Sequence, residues 1–256
     1  MEKINFILPA MDCSVELRET LSSISLIQAN RRGVVVVIFP SKEFTDKKNE
    51  ITSDYSDPLD LRVVEESSPG VYPGFNDGLQ CLRSVGGYVV FLGAGDIVHE
   101  PSKLLLQEMD SGVDLICMPA GGDGANLRKI KAVSHEYLIC LPNPQGCVYK
   151  LSIGDDIKYK TTYRIYDDVI QRIKVIKKYH YKVIDSSPLI TIDGHGVSGA
   201  QTIRKVLEHF SERASLLLPV IRLGEPILAC KYLIGSLAMF GRYLTGSKFN
   251  NRKPVS

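Results

Sequence analysis

The stretch Gly87–Asp96, GYVVFLGAGD, constrains the fold more than any other part of the chain. From Gly87 to Leu92 it is a nearly unbroken apolar run rich in β-branched and aromatic residues. A strand with one wet face alternates apolar and polar residues, whereas a continuous run belongs to a strand covered on both faces, as in a parallel sheet. The run stops at two glycines around an alanine and delivers a carboxylate, Asp96, just beyond the carboxyl end of the strand, where a parallel sheet places its ligand crevice. This predicts a central strand with Asp96 at its exit, either as a ligand-binding acid or as the first residue of the next turn.

The segments upstream have the alternation of βαβ units. Ile4–Leu8 reads as a short strand closed by Pro9-Ala10, and Ser14 is placed to cap a helix with Leu17, Leu21 and Ile24 on its buried face. Gly33–Phe39, GVVVVIF, is a second fully buried strand and Leu61–Val64 a third, with the polar, turn-rich stretch Lys42–Asp60 between them read as a loop holding at most a short helix. Phe75, Leu79 and Leu82 have helical spacing ahead of the central strand. A helix over Pro101–Met109, with proline in its first turn, leads to a further strand at Val113–Met118. Strands alternating with helices in this way give a mainly parallel, Rossmann-like α/β sheet flanked by helices. Four strand exits, Pro9–Asp12, Phe39–Pro40, Glu65–Ser68 and Gly93–Asp96, are expected to converge on one edge.

After Pro119 the pattern changes. Short apolar runs broken by Gly, Pro and Asn predict a mixed or antiparallel extension up to Tyr159. A helix follows over Asp167–Tyr179, with Val169, Ile170, Ile173 and Ile176 inside and lysines outside, opening on the pair Asp167-Asp168. Val183–Ile184 and Leu189–Ile192 are strand-like, a glycine-rich loop carries His195, and from Ala200 to near Leu244 the chain reads as helical.

Composition narrows the class. With 256 residues, 44% of them hydrophobic, the chain can bury a full core, and a net charge of +2 gives no argument for a nucleic-acid partner. The six cysteines show neither a CxxC pair nor metal-site spacing to histidine, and most read as small core residues. The opening MEKINFILPA has too short an apolar run for a signal peptide, which places the protein in a reducing cytoplasm. A single acid after a buried strand, flanked by glycines, suits a hard divalent cation such as Mg²⁺ or Mn²⁺ holding a diphosphate, because such ions take oxygen ligands and share them with phosphate.

The run from Glu66 to Asp96, EESSPGVYPGFNDGLQCLRSVGGYVVFLGAGD with its preceding glutamate, resembles the family 2 glycosyltransferases, especially the bacterial surface-polysaccharide branch. That branch has roughly E-x-D-x-G-I-Y-D-A-M-N-x-G, a helix, then G-x-Y-I-x-F-L-N-x-G-D, and this chain matches at Glu66, Gly70, Tyr72, Asn76, Gly78, Gly87, Tyr88, Phe91, Leu92, Gly95 and Asp96. Gln145-Gly146, Asp167-Asp168 with Arg172, and Gly194 with Gly196-Val197-Ser198 are similar to its later motifs, so the likeness covers roughly residues 3 to 199. It implies a glycosyltransferase A-type fold with a nucleotide-binding part over residues 1–118, an acceptor-binding part over 119–199 and a helical extension over 200–256. It further implies transfer of a sugar, with inversion, from a nucleotide-diphosphate donor to a saccharide or lipid-linked saccharide acceptor in surface-polysaccharide synthesis. Pro9, Ala10, Glu66, Gly70, Tyr72, Asn76 and Gly95 would contact the donor, and Asp96 would bind Mn²⁺ or Mg²⁺. Asp168 or Asp167 would act as base, unless the pair only caps its helix.

The chain also departs from that pattern. Phe39, Ser68 and Pro73 replace aspartates, Gly93 stands at the first position of the metal motif, and Pro144 replaces a histidine. Two classes of function follow: a transferase with thinned donor contacts, or a catalytically impaired relative serving as a binding or scaffold subunit of a polysaccharide assembly complex. The apolar but interrupted segment PILACKYLIGSLAMFGRYLTGSKF, followed by Arg252 and Lys253, is either an amphipathic helix at the inner face of the membrane or a helix packed on the domain or on a second subunit.

Overall fold

The computed structural model describes residues 2–42, 44–121, 131–132, 138–141, 144–192 and 203–244. The first half lays down β1 (Ile4–Pro9), α1 (Val15–Ser25), β2 (Arg32–Phe39), α2 (Phe44–Tyr55), β3 (Asp60–Glu65), α3 (Val71–Cys81) and β4 (Tyr88–Phe91). There follow β5 (Ile97–Val98), α4 (Lys103–Asp110), β6 (Leu115–Cys117), β7 (Lys131–Ala132), β8 (Leu138–Cys140) and β9 (Cys147–Lys150), then α5 (Asp167–Lys178), β10 (Tyr181–Val183), β11 (Ile190–Thr191), α6 (Ile203–Arg222) and α7 (Pro226–Leu244).

Seven strands form one sheet in the order β10-β6-β9-β4-β1-β2-β3, so the GYVVF run is its middle strand. Every side chain of β4 is buried, as are Val34 to Phe39 of β2, which is why both sequences are continuously apolar. β4, β1, β2 and β3 are mutually parallel, and their carboxyl ends therefore lie side by side on one edge. β9 runs antiparallel between β4 and β6, the change of character expected after Pro119.

Three local expectations are corrected. The stretch read as a loop after β2 is largely α2, a 12-residue helix in which only Ile51 is buried. Phe44 and Tyr55 pack partly buried against the core, and polar contacts add to them: Arg18 of α1 pairs with Glu50 and Asp54, and the Tyr55 hydroxyl donates to Arg18 O at 3.0 Å. The α4 helix begins after Pro101, with Ser102 as its cap accepting from the Leu105 N–H, so the proline precedes the helix. The long helical stretch after Ala200 is two helices, broken at Leu223-Gly224-Glu225.

Two side chains show how closely the sheet is fitted. Asn5 is fully buried in β1; its amide donates to Gly86 O and Tyr88 O, and its carbonyl accepts the Val34 N–H, so it ties β1 to both neighbours at the point where its pairing with β2 is irregular. On α3, Gly78 lies so close to β1 that a Cβ there would stand 2.3 Å from Ile7 Cγ2. Only glycine permits that approach.

The chain resolves into two compact units, Met1–Ile130 with Cys140–Gly196, and Lys131–Ile139 with Val197–Ser256. The first contains the seven-stranded sheet; in the second, α6 and α7 pack on each other.

Candidate active site

The exit of β4 is a tight turn built around Asp96. The Gly93 N–H donates to Asp96 Oδ2 at 2.7 Å, and Asp96 is only 3% exposed. Gly95 has φ +96°, a left-handed conformation suited to glycine, and its N–H is shared between Thr20 Oγ1 and Glu16 O of α1. Ser23 of the same helix accepts the Val98 N–H, so α1 fixes the turn from behind over two successive contacts.

On the same strand edge, Pro9 ends β1 against α3, where a Cβ on Gly74 would lie 3.1 Å from the proline ring. The Ala10 N–H bonds Ile38 O, and the Glu66 N–H bonds Phe39 O, continuing the parallel pairing past the strand ends. Gly70, with φ +132°, is the residue before α3. The loop ahead of it is held by Asp77, whose carboxylate accepts from the Ser67 N–H and hydroxyl, both at 2.8 Å.

The acidic pair opens α5, where both carboxylates meet the positive end of the helix. Asp168 accepts at Oδ1 from the Tyr72 hydroxyl, 3.0 Å away, and at Oδ2 from Arg172, one turn further along α5. Tyr72 also reaches Ile165 O at 2.6 Å. Asp167 accepts the Thr161 N–H at 2.9 Å and so supports a residue with φ +59°, the single positive-φ residue other than glycine among those described. Burial, reinforced by the Asp168 charge, pushes the Tyr72 phenol far above its ordinary value.

Asn76, expected at the donor, holds a backbone segment. Its side chain donates to Tyr159 O and accepts the Tyr159 N–H, at 2.8 and 2.9 Å, clamping that backbone as a strand partner would. The clamp seats the Tyr159 ring on Tyr72, centroids 4.8 Å apart and nearly parallel, and edge-on to Phe91, the last residue of β4. Phe75 completes the cluster at 4.8 Å from Phe91. A continuous set of aromatic rings therefore runs from the exit of β4 to the Tyr72–Asp168 contact. Burial, followed by the Asp168 charge, raises the Tyr159 phenol as well.

The structure thus joins Tyr72, Asn76 and Asp168 through one helix face and one loop. It sets Asp167 beside them and places Pro9, Ala10, Glu66, Gly95 and Asp96 at the adjoining strand exits. Arg172, part of the motif that begins at Asp167-Asp168, has the spacing from Asp168 of a helical ion pair. Tyr159 had no local signal at all. A cavity of about 420 Å³ beside the exit of β1 is lined by Asp12, Cys13, Ser14, Asp46, Lys47 and Glu50. Burial, then the neighbouring Glu50, pushes the Cys13 thiol up to about 11. The cysteines divide: Cys117 and Cys147 are core residues facing each other across β6 and β9, whereas Cys230 is exposed. His195 lies outside the described residues.

Among the described residues no three His, Cys, Asp or Glu side chains gather into a metal site. The donor set at the β4 exit fits a divalent cation only in the mode where one carboxylate, Asp96, is supplemented by the oxygens of a bound phosphate.

No protein-family model and no curated protein sequence matches the chain. Solved structures do. S. aureus TarS 1-349 in complex with UDP superposes with a TM-score of 0.62 at 15% identity, over 97% of this chain and 73% of that one. The mannosyltransferase PcManGT from Pyrobaculum calidifontis, in complex with GDP-Man and Mn²⁺, gives 0.62 at 14% identity over 97% of this chain and 76% of its own. TarS 1-349 with UDP-GlcNAc gives 0.57. The chain has the glycosyltransferase A-type fold.

Proposed function

We propose that this protein transfers a sugar from a nucleotide-diphosphate donor to a hydroxyl of a saccharide or lipid-linked saccharide. The observation that carries this reading is the shared edge of β4, β1, β2 and β3, with the Asp96 turn at one point and the ring-linked Tyr72–Asp168 contact beside it. The nucleotide and nucleotide sugars bound by the structural neighbours, UDP, UDP-GlcNAc and GDP-Man, support a donor of that class.

In this reading the chain follows the family 2 pattern in a surface-polysaccharide pathway and acts at the cytoplasmic side of the membrane. Pro9, Ala10, Glu66, Gly70, Tyr72, Asn76 and Gly95 frame the donor, and Tyr72 and Asn76 also tie α3 to Asp168 and to the loop at Tyr159. A Mn²⁺ or Mg²⁺ ion held by Asp96 and the donor phosphates would offset the negative charge that grows on the departing nucleotide diphosphate. Asp168 takes the proton from the acceptor hydroxyl as its oxygen bonds the anomeric carbon and the bond to the diphosphate breaks, inverting that carbon. Each carboxylate oxygen keeps a lone pair beyond the one used by Tyr72 or Arg172. Asp167 supports the loop at Thr161 and is the second acid at hand.

A second reading, a binding or scaffold subunit without turnover, draws on the burial of both acids, 2% and 8% exposed, and on Gly93 at the metal motif. Calorimetric titration with UDP, GDP and TDP, with and without Mn²⁺, followed by assay of nucleotide release from the matching donor, separates the two. Binding with release that Asp168→Asn abolishes is the expected result. Binding without release by the parent protein selects the scaffold, and a folded protein that binds no nucleotide overturns both.

A further inference from the structure

The unit formed by α6 and α7 presents apolar residues on two opposite sides of each helix. In α6, Leu216 and Val220 are fully buried, whereas Leu207, Leu218 and Ile221 recur at helical spacing on the other side and are 48–55% exposed. In α7, Leu228 and Ala229 are buried while Ile227, Ile234 and Leu237 form an outward stripe, with Ile234 at 66%. A helix of a water-facing hairpin carries charges in such positions; a stripe of leucine and isoleucine marks a surface that meets another phase or partner.

The sequence says which. From residue 226 to residue 256 there are five basic residues, Lys231, Arg242, Lys248, Arg252 and Lys253, and no Asp or Glu. The acids of α6, Glu208 and Glu212, lie off the exposed stripe, half-buried and engaged with other groups. Among the described residues of the two helices the exposed charges, Arg222 and Lys231, are both basic, and an apolar stripe in such company matches an anionic lipid surface: the aliphatic side chains enter the acyl boundary and the cations stay among the headgroups. A second copy is disfavoured, because pairing two such segments would oppose like charges with no acid to answer them. No helix among the described residues is long and apolar enough to cross a membrane, so the contact is one of lying on the surface.

We infer that the outer faces of α6 and α7 bind an anionic lipid bilayer peripherally. This goes beyond the transferase reading and does not depend on it. The test is flotation of the full-length protein with phosphatidylcholine vesicles, with and without phosphatidylglycerol, at low and high salt. Phosphatidylglycerol should raise the bound fraction about tenfold or more, and salt should reverse it. Ile234→Ser with Leu237→Ser should abolish binding while leaving the circular dichroism spectrum unchanged. Replacing Lys248, Arg252 and Lys253 with Gln should weaken binding about fivefold per charge. Absence of binding to either vesicle overturns the inference, as does binding that ignores phosphatidylglycerol. A lipid-free dimer that the serine variant dissolves, with no flotation, assigns the stripe to a second copy and overturns it too. Nucleotide titration of the same preparation reads the donor site separately.

Discussion

The Tyr72 hydroxyl of α3 donates to the Asp168 carboxylate of α5 at 3.0 Å across 96 positions of chain, and it is the direct polar link between the helix beside the strand exits and the proposed base. Removing that hydroxyl while keeping the ring tests what the link does. Tyr72→Phe should fold, with a stability loss of about 1–2 kcal/mol for the acceptors left without their donor. Transfer should fall about tenfold to a hundredfold through loss of alignment. Nucleotide affinity should fall less than transfer does, which calorimetry on the same variant checks.

Arg172 answers the Asp168 charge from within the same helix, and both side chains are nearly buried. Arg172→Met leaves a buried carboxylate without its cation and should cost about 3 kcal/mol or more in urea unfolding. Arg172→Met combined with Asp168→Leu should recover much of that loss. A double-mutant cycle showing additivity would exclude the coupling.

Asp96 has two separable tasks, holding the Gly93 N–H and, in the proposed function, holding a cation. Asp96→Asn keeps an acceptor for the turn and removes the charge, so it should melt like the parent while any Mn²⁺-dependent gain in nucleotide affinity disappears. Asp96→Ala should lose both, with a stability cost of about 1–3 kcal/mol. Unchanged Mn²⁺ dependence in the asparagine variant would remove Asp96 from the donor site.

Alkaline pH should loosen the fold. Burial raises the Tyr88 phenol from 10.0 to about 12, and burial is also the leading cause of the upward shifts of Tyr72, Tyr149 and Tyr159. A raised phenol keeps its proton in the folded state after the unfolded chain has released it. Stability is therefore fully present below about pH 10 and falls as pH climbs from there through about 12. Urea midpoints measured across that window should decline, less steeply in Tyr88→Phe.

Asn5 sits among apolar neighbours with its amide donating to two carbonyls and accepting one N–H. Asn5→Leu should destabilise by about 2–3 kcal/mol because buried backbone groups of β2 and β4 lose their partner. Thermal melts of that variant against Asn5→Asp would report the cost of the lost bonds and of an added charge.

The sheet was legible where burial wrote itself into composition. β2 and β4 are covered on both faces, so their sequences contain little but apolar residues; α5 showed itself by the contrast of isoleucines and lysines. α2 was not legible, since it buries one side chain and depends on Arg18, distant in sequence. The acids of the site could be named from the chain, because an acid after a buried strand or at a helix start is conspicuous. Their company could not: no spacing rule connects Tyr72 with Asp168, or Asn76 with Tyr159, and both contacts exist only once α3 and the loop before α5 meet.

The α3 helix carries Gly74 and Gly78 on the side that touches β1, and Tyr72 and Asn76 on the side that holds the loop and Asp168. Strand and acid are thus linked through α3. The position of the acid relative to the strand edge is gauged by the single hydrogen atom that Gly78 presents to Ile7. A methyl group there would act as a shim, moving the helix outward and carrying Tyr72 and Asn76 with it. A core packing choice at Gly78 thereby sets how far Tyr72 and Asn76 stand from β1.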